Sequence, residues 1–204
     1  MTVTVLLVRH ATCDHVGRRI AGRSPGVHLN AQGRAEAAAL AEALGGLPVA
    51  AVYSAPLERA SETAAPLAER LALPVVAAPG LDELDFGDWT GRSLDSLAAE
   101  PGWRAFNEAR DTTRIPGGEL MSDAVARAMA ELVRFRREHP DGLVAAVSHG
   151  DVIRGVLLHC LGLPLHRVHR LDVAPASVSV AYLSEPAPRV LAVNWTVGRP
   201  PWRG

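Results

Sequence analysis

Apolar positions follow two different periods along this chain, and glycine, proline or a capping residue separates most stretches. Residues 3–8, VTVLLV, form a short β-branched apolar run that predicts a buried strand. Runs at 48–53 (PVAAVY), 74–78 and 143–147 (LVAAV) predict three more strands. Helical spacing fills the intervals between them. Asn30 is placed to cap a helix to about residue 44, with Leu40, Ala41 and Leu44 inward and Gly45-Gly46 stopping it. Ser54-Ala55-Pro56 reads as a turn into a helix to about residue 71, which Pro66 should kink. Ser122 is placed to cap a helix to about residue 139. Val125, Met129 and Leu132 share one of its faces, and Arg134, Arg136 and Arg137 crowd its last turn, where cations suit the helix dipole. Asp151 is placed to cap a further helix to about residue 161. Residues 177–183 and 189–193 predict a late, antiparallel pair of strands.

Three stretches lack a period. Residues 9–28 predict a long loop, and loops of that length usually carry function. Residues 81–91 are rich in Gly and Asp. Residues 93–115 carry only weak helical signals around Trp103 and Phe106, which suggests a small lid-like insertion at about 92–118, ended by Pro116-Gly117-Gly118. The tail 198–204 is expected to be loosely held. Strands alternating with helices predict one layered α/β domain over residues 1–204, with a mainly parallel sheet.

Composition narrows the chemistry. The chain has 204 residues, 21 basic against 22 acidic, so a large nucleic-acid-binding face is not expected. All 21 are arginine. Without lysine, no side-chain Schiff base forms, and a phosphate-binding GxxxxGK[ST] loop is excluded. Two cysteines, Cys13 and Cys160, are too few for a disulfide scaffold and suit a reducing compartment. Neither a signal peptide nor a bilayer-spanning run is visible. These features predict a cytoplasmic protein without a membrane partner. A homodimer stays open.

In a parallel sheet, ligands bind beyond the carboxyl ends of the strands. Arg9-His10 follows the first predicted strand. Ser54 follows the second, with Arg59 one turn into the next helix. Ser148-His149-Gly150 follows LVAAV, and the strand near Val76 leads to Leu81-Asp82-Glu83. Two His, two Arg and one Glu therefore sit where strand ends bring residues together. Two guanidinium groups and two imidazoles suit a dianion, since Arg matches phosphate geometry with a bidentate fork. Gly150 allows close backbone approach at a helix start. No HExxH, CxxC or DxD pattern suggests a metal, and neither metal nor cofactor is expected; His166 and His169 read as surface residues. Cys13-x5-Arg19 fits the C-x5-R signature of cysteine phosphatases, but Cys13 lies several residues past the strand end.

Five motifs in order resemble the histidine phosphatase superfamily. They are Leu7-Val8-Arg9-His10, Ser54-x4-Arg59-Ala60-x2-Thr63, Leu81-Asp82-Glu83 with Phe86-Gly87-Asp88-Trp89-Thr90-Gly91, Pro116-Gly117-Gly118-Glu119, and Val147-Ser148-His149-Gly150. The resemblance implies a three-layer α/β/α sandwich of the phosphoglycerate-mutase-like kind, without a cofactor. It implies that His10 is the nucleophile that becomes phosphohistidine. Arg9, Arg59 and His149, with Gly150 and Gly22, would form the phosphate pocket. Glu83 would be the proton donor. The implied activity is metal-independent hydrolysis of a small phosphorylated metabolite.

Departures bear on the activity. Ala11 stands where the family usually has Gly, Val16 lies near the usual loop Asn, and Ala21 precedes Gly22. Asp14 and His15 are both candidates to replace that Asn. Arg18, Arg19 and Arg23 are candidates to extend a basic mouth. The short stretch from Glu83 to His149 and the ELDFGDW run resemble the small phosphatases more than the mutases. A phosphoglycerate-type phosphomutase is the alternative, and a non-catalytic phospho-ligand or protein-binding module a second.

Overall fold

The computed structural model describes residues 1–198. Strands β1 (Val3–Arg9), β2 (Val49–Ser54), β3 (Val75–Ala77), β4 (Gly142–Ser148), β5 (Val178–Leu183) and β6 (Arg189–Trp195) form one sheet in the order β3-β2-β4-β1-β5-β6. The first four in that order run parallel, and β5 and β6 are added antiparallel. Helices α1 (Ala31–Leu44), α2 (Glu58–Arg70), α3 (Leu94–Ala98), α4 (Pro101–Glu108), α5 (Met121–Glu138) and α6 (Gly150–Cys160) complete the layered α/β fold. Helix α1 packs on α2, and α5 on α6. The predicted tail falls largely in residues 199–204, outside the described residues.

The central strands are apolar on both faces because helices cover both sides. Val3, Val5, Leu7, Val144, Ala145 and Ala146 are buried in the main core with Phe135, Leu132 and Leu157. Alanine at 145 and 146 keeps the middle strand thin where helices close over it. A second apolar cluster joins Leu84, Phe86, Trp89, Leu97, Phe106, Ile115 and Met121. Segment 92–118, weak in periodicity, is thus anchored by aromatic packing. The Phe106 ring lies edge-on to Phe86 and tilted against Trp89 and Trp103.

Helix caps depart from the sequence reading at two places. Asn30 does cap α1, its side chain accepting from Gly33 N–H at 2.9 Å. Ser122 does not cap α5: Leu120 holds that position without a side-chain cap, and Ser122 lies inside the first turn. Asp151 does not cap α6; His149 occupies the cap position and Asp151 falls in the first turn. Both polar residues lie two positions past the cap, because the segment that precedes each helix, not local capping, sets where it starts. Arg134 does not serve the α5 dipole either; it pairs with Glu131 and Glu138. Helix α2 runs through Pro66 to Arg70.

Replacing Phe106 by Ala should lower unfolding stability by about 3–5 kcal/mol, since a fully buried ring leaves a cavity. Urea denaturation checks this; a loss under about 1 kcal/mol would mean the second cluster collapses without cost.

Candidate active site

Strand register brings the two key histidines together. Arg9 pairs with Ser148 across β1 and β4, so the next residues, His10 and His149, leave the sheet side by side. The His10 N–H donates to Ser148 O at 2.9 Å, and the two imidazole centroids lie 5.2 Å apart. Ser54 pairs with Val147 at the end of β2, which places the start of α2 beside them. Thr63 on α2 accepts from Ala11 N–H at 2.9 Å and so fixes the chain just beyond His10.

The His10 tautomer follows from its partner. Nδ1 lies 2.8 Å from Ala11 O, which can only accept, so Nδ1 carries the proton and Nε2 keeps its lone pair. Burial, then the Arg9 and Arg59 charges, push the His10 imidazole down to about 3. His149 is fully buried, and burial followed by His10, Arg59 and Arg9 holds it well below its usual range. Both rings are therefore neutral near neutral pH.

The cradle around them is short of acceptors. Arg9 Nη1 donates to Val173 O at 2.6 Å, and Arg59 Nη2 donates to Gly22 O at 2.7 Å. Arg9 Nε, Arg59 Nε and Nη1, and both ring nitrogens of His149 are buried without a hydrogen-bond partner. His149 stands 3.8 Å from Asp82 and from Glu83, too far for hydrogen bonds. Each unsatisfied buried polar group costs ~1–3 kcal/mol, so the cluster is built for an acceptor with several oxygens.

Glycines make the approach possible. A Cβ at Gly150 would meet Arg9 Nε at 3.2 Å, so the glycine lets the guanidinium lie against the start of α6. Gly22 has φ +52, and a Cβ there would meet Thr90 Oγ1 at 2.7 Å. That backbone shape turns the Gly22 carbonyl toward Arg59, so the carbonyl orients the cation.

Glu83 comes from the loop after β3. Burial, then Asp151, push its carboxyl up to about 7. Two arginines hold its backbone. Arg127 Nη2 and Arg23 Nε donate to Glu83 O at 2.9 and 2.8 Å, and Arg127 Nη1 donates to Gly80 O and Asp82 O. Glu119 Oε1 accepts from Arg23, Arg127 and Asp85 N–H at 2.7–2.9 Å, joining the two arginines. Ser148 Oγ donates to Leu81 O at 2.6 Å and ties this loop to the end of β4.

A cavity of about 310 Å³ opens over Arg9, His10, Arg59, Glu83, Gly22 and Gly150. His149 is not among its lining residues; it is fully buried, with its ring tilted against that of His10. Val16, Ile20, Phe86, Leu94 and Trp103 supply apolar wall; Arg19, Asn107, Arg110, Asp151, Arg154 and His169 supply polar wall. His15 also lines the cavity, whereas Asp14 accepts from Asn30 Nδ2 at the surface, so only His15 faces the site. Of the three candidate mouth arginines, Arg19 lines the cavity, Arg18 is exposed elsewhere and Arg23 is spent on Glu83 and Glu119. Cys13 is buried at the wall, while Arg19 donates to Gly91 O. His169 is exposed, as the sequence predicts, and also borders the cavity, 3.0 Å from Asn107 Oδ1. Arg110, Asp151 and Arg154 were missed as site residues. Arg154 stands three positions after Asp151 on α6, a helical spacing that places both on one face. Arg110 carries no local signal, because its contact with Asp151 is made only by the fold. Among the described residues no group of three or more His, Cys, Asp or Glu is placed to hold a metal ion, and no helix is long and apolar enough to cross a membrane.

Comparison with known proteins places this geometry in a family. The sequence profile of the histidine phosphatase superfamily (branch 1) matches residues 5–196. The chain belongs to that superfamily. A glucosyl-3-phosphoglycerate phosphatase of Mycobacterium tuberculosis is 36% identical over 173 residues, covering 79% of this chain and 76% of that protein. A probable phosphoglycerate mutase of an Enterobacter species is 32% identical over 197 residues, covering 95% and 90%. The native structure of the mycobacterial glucosyl-3-phosphoglycerate phosphatase superposes with a TM-score of 0.86 at 28% identity, over 96% of this chain and 100% of that one. The fold of this histidine phosphatase is therefore the phosphoglycerate-mutase-like sandwich.

Holding His10 neutral has a measurable consequence. A histidine with a lowered folded pKa binds its proton more readily unfolded, so stability falls as pH drops from about 6.5 toward 3. The parent should lose about 1.4 kcal/mol per pH unit relative to His10→Asn across that window. Denaturant midpoints at pH 6, 5 and 4 check it; parallel losses in both proteins would contradict a neutral His10.

Proposed function

We propose that this protein is a phosphomonoesterase that hydrolyses a small phosphorylated metabolite through a phosphohistidine at His10. One observation carries the reading: unpartnered donors of Arg9, Arg59 and His149 converge beside a neutral imidazole with a free Nε2 lone pair. A phosphoryl group supplies the missing acceptors, and each charge-assisted hydrogen bond contributes ~1.5–3 kcal/mol. The relatives' names, phosphatase and mutase, both fit phosphoryl transfer.

In the first step His10 Nε2 forms a bond to phosphorus as the ester P–O bond breaks. Arg9, Arg59 and His149 stabilise the equatorial oxygens as charge redistributes among them. Glu83 gives its proton to the departing alkoxide. With a carboxyl near 7, Glu83 is protonated often enough to act as acid, and ionised often enough afterwards to act as base. In the second step Glu83 takes a proton from water, the water oxygen bonds to phosphorus and the P–N bond breaks. Inorganic phosphate leaves and His10 is restored. The Arg23–Glu119–Arg127 clamp holds Glu83 in place through both proton transfers. Segment 92–118 caps the cavity and excludes bulk water.

Hydrolysis is preferred to mutase action because Val16 offers no polar contact where mutases carry Asn, and because the segment enclosing the site is compact. The two free, buried cysteines suit the reducing cytoplasm.

Acid-quenched labelling with a phosphorylated substrate should trap phosphate on the parent and none on His10→Ala. Activity on His10→Ala, or label retained by it, would remove the nucleophile assignment. Phosphate release in the presence of a chelator should match release without it, whereas isomerisation without release would favour the mutase. For alkyl phosphates, turnover should fall about tenfold per pH unit above about pH 7 as Glu83 ionises. Nitrophenyl phosphate, whose leaving group needs no proton, should show no such fall in the phosphorylation step, and Glu83→Gln should slow single-turnover phosphorylation of His10 by alkyl esters at least about a hundredfold more than by the nitrophenyl ester. Equal losses on both would exclude the acid role.

A further inference from the structure

Beside the phosphate cradle, the same cavity is lined by a second cationic group. Arg110, at the end of α4, is 3% exposed. Its guanidinium lies 4.6 Å from the Phe106 ring centre, donates Nη2 to Asn107 Oδ1 at 2.7 Å, and pairs through Nη1 with Asp151 Oδ2 at 3.0 Å. Its Nε is buried without an acceptor. Arg154 pairs with the other Asp151 oxygen at 3.3 Å and donates Nε to Leu171 O at 2.9 Å. Two guanidinium groups thus share one carboxylate, and all three side chains line the cavity that contains His10. A tether between segment 92–118 and α6 would need only one of these arginines.

We propose that Arg110 and Arg154, bridged by Asp151, form a second anion subsite that takes a carboxylate on the alcohol half of the substrate. This rests on the phosphomonoesterase reading above. A phosphate dianion on Arg9 and Arg59 neutralises the cradle but leaves the surplus cation on this wall. That surplus is close to the cradle: burial, then the Arg154 charge, lowers Arg9. Asp151 selects the kind of anion. Burial opposes its ionisation, yet Arg110 and Arg154 outweigh burial and keep it charged. One net positive charge remains and matches a monoanion; a second phosphate dianion would face Asp151 across the same cluster. Planar guanidinium groups also match the geometry of a carboxylate. The apolar wall at Phe86 and Trp103 accommodates the carbon skeleton between the two charged ends.

The test compares phosphate release from matched pairs that differ only in the carboxylate. O-phosphoserine is set against phosphoethanolamine, and 3-phosphoglycerate against glycerol 3-phosphate. The parent should favour the carboxylate partner in kcat/KM by at least about tenfold in one pair. Arg154→Gln and Arg110→Gln should each bring that ratio to about one. The ratio is internal to each preparation, so loss of folded protein cancels, and the partly exposed Arg154 serves if the Arg110 variant fails to fold. A parent ratio near one in both pairs, or a ratio unchanged in Arg154→Gln, overturns the subsite. Hydrolysis of nitrophenyl phosphate separates the two readings: without it the phosphomonoesterase proposal fails, whereas with it and no carboxylate preference only the subsite fails.

Discussion

Two uncharged imidazoles held against two guanidinium groups are the arrangement on which this site depends. Ordinary histidines beside solvent would share protons with water near neutral pH. Here burial and the cations of Arg9 and Arg59 act in one direction, so His10 keeps its Nε2 lone pair. The arrangement is costly in the free protein, because Arg59 and His149 bury polar atoms with no partner. The rest of the fold sustains that cost. Val144, Ala145, Ala146 and Val147 run through the core immediately before the site, and His149 enters it from a fully buried strand end. An anion with several oxygens relieves the unsatisfied donors without moving them, which is how a preorganised site favours charge developing in a transition state.

Glu83 is positioned by a different strategy. Its loop has almost no regular structure, so backbone pairing cannot fix it. Arginine side chains do so instead, gripping successive carbonyls from α5 and from the loop after β1. Glu119 carries negative charge between them and keeps both forks aligned. Burial opposes ionisation of Glu119, but Arg127, the Asp85 N–H and Arg23 hold it below the usual carboxylate range. One carboxylate thereby links three chain segments around Glu83. The same absence of lysine that excluded other chemistry leaves every cation here a planar fork able to serve several acceptors at once.

The cavity wall divides by origin. Its phosphate side is made from strand ends, where backbone hydrogen bonds set position. Its far side draws Trp103, Asn107 and Arg110 from segment 92–118, whose anchorage is the aromatic packing of Phe86, Trp89 and Phe106. On the proposed reading, the strand ends hold the phosphate, and segment 92–118 together with α6 meets the alcohol half.

The strands, the main helices and the five residues at strand ends were all readable in the sequence. Apolar runs bounded by breakers fix β1, β2 and β4, and parallel sheets place whatever follows them at one edge. His10, Arg59 and His149 were legible for that reason, and Glu83 through the Leu81-Asp82-Glu83 motif. Less was legible where contacts join distant segments. Ser122 and Asp151 looked like caps because capping is a local pattern, yet the α5 and α6 starts are set by where their preceding segments deliver the chain. Asp151 instead meets Arg110, a residue from an unrelated segment with no periodic signal of its own. Arg23 looked like part of the mouth, because the direction of a loop side chain depends on neighbours that sequence spacing does not name. The chain's own pattern determined which residues could carry phosphoryl chemistry. Tertiary packing alone decided their protonation and orientation, and which arginines stayed free to face a ligand, since burial and long-range charge exist only once distant segments meet.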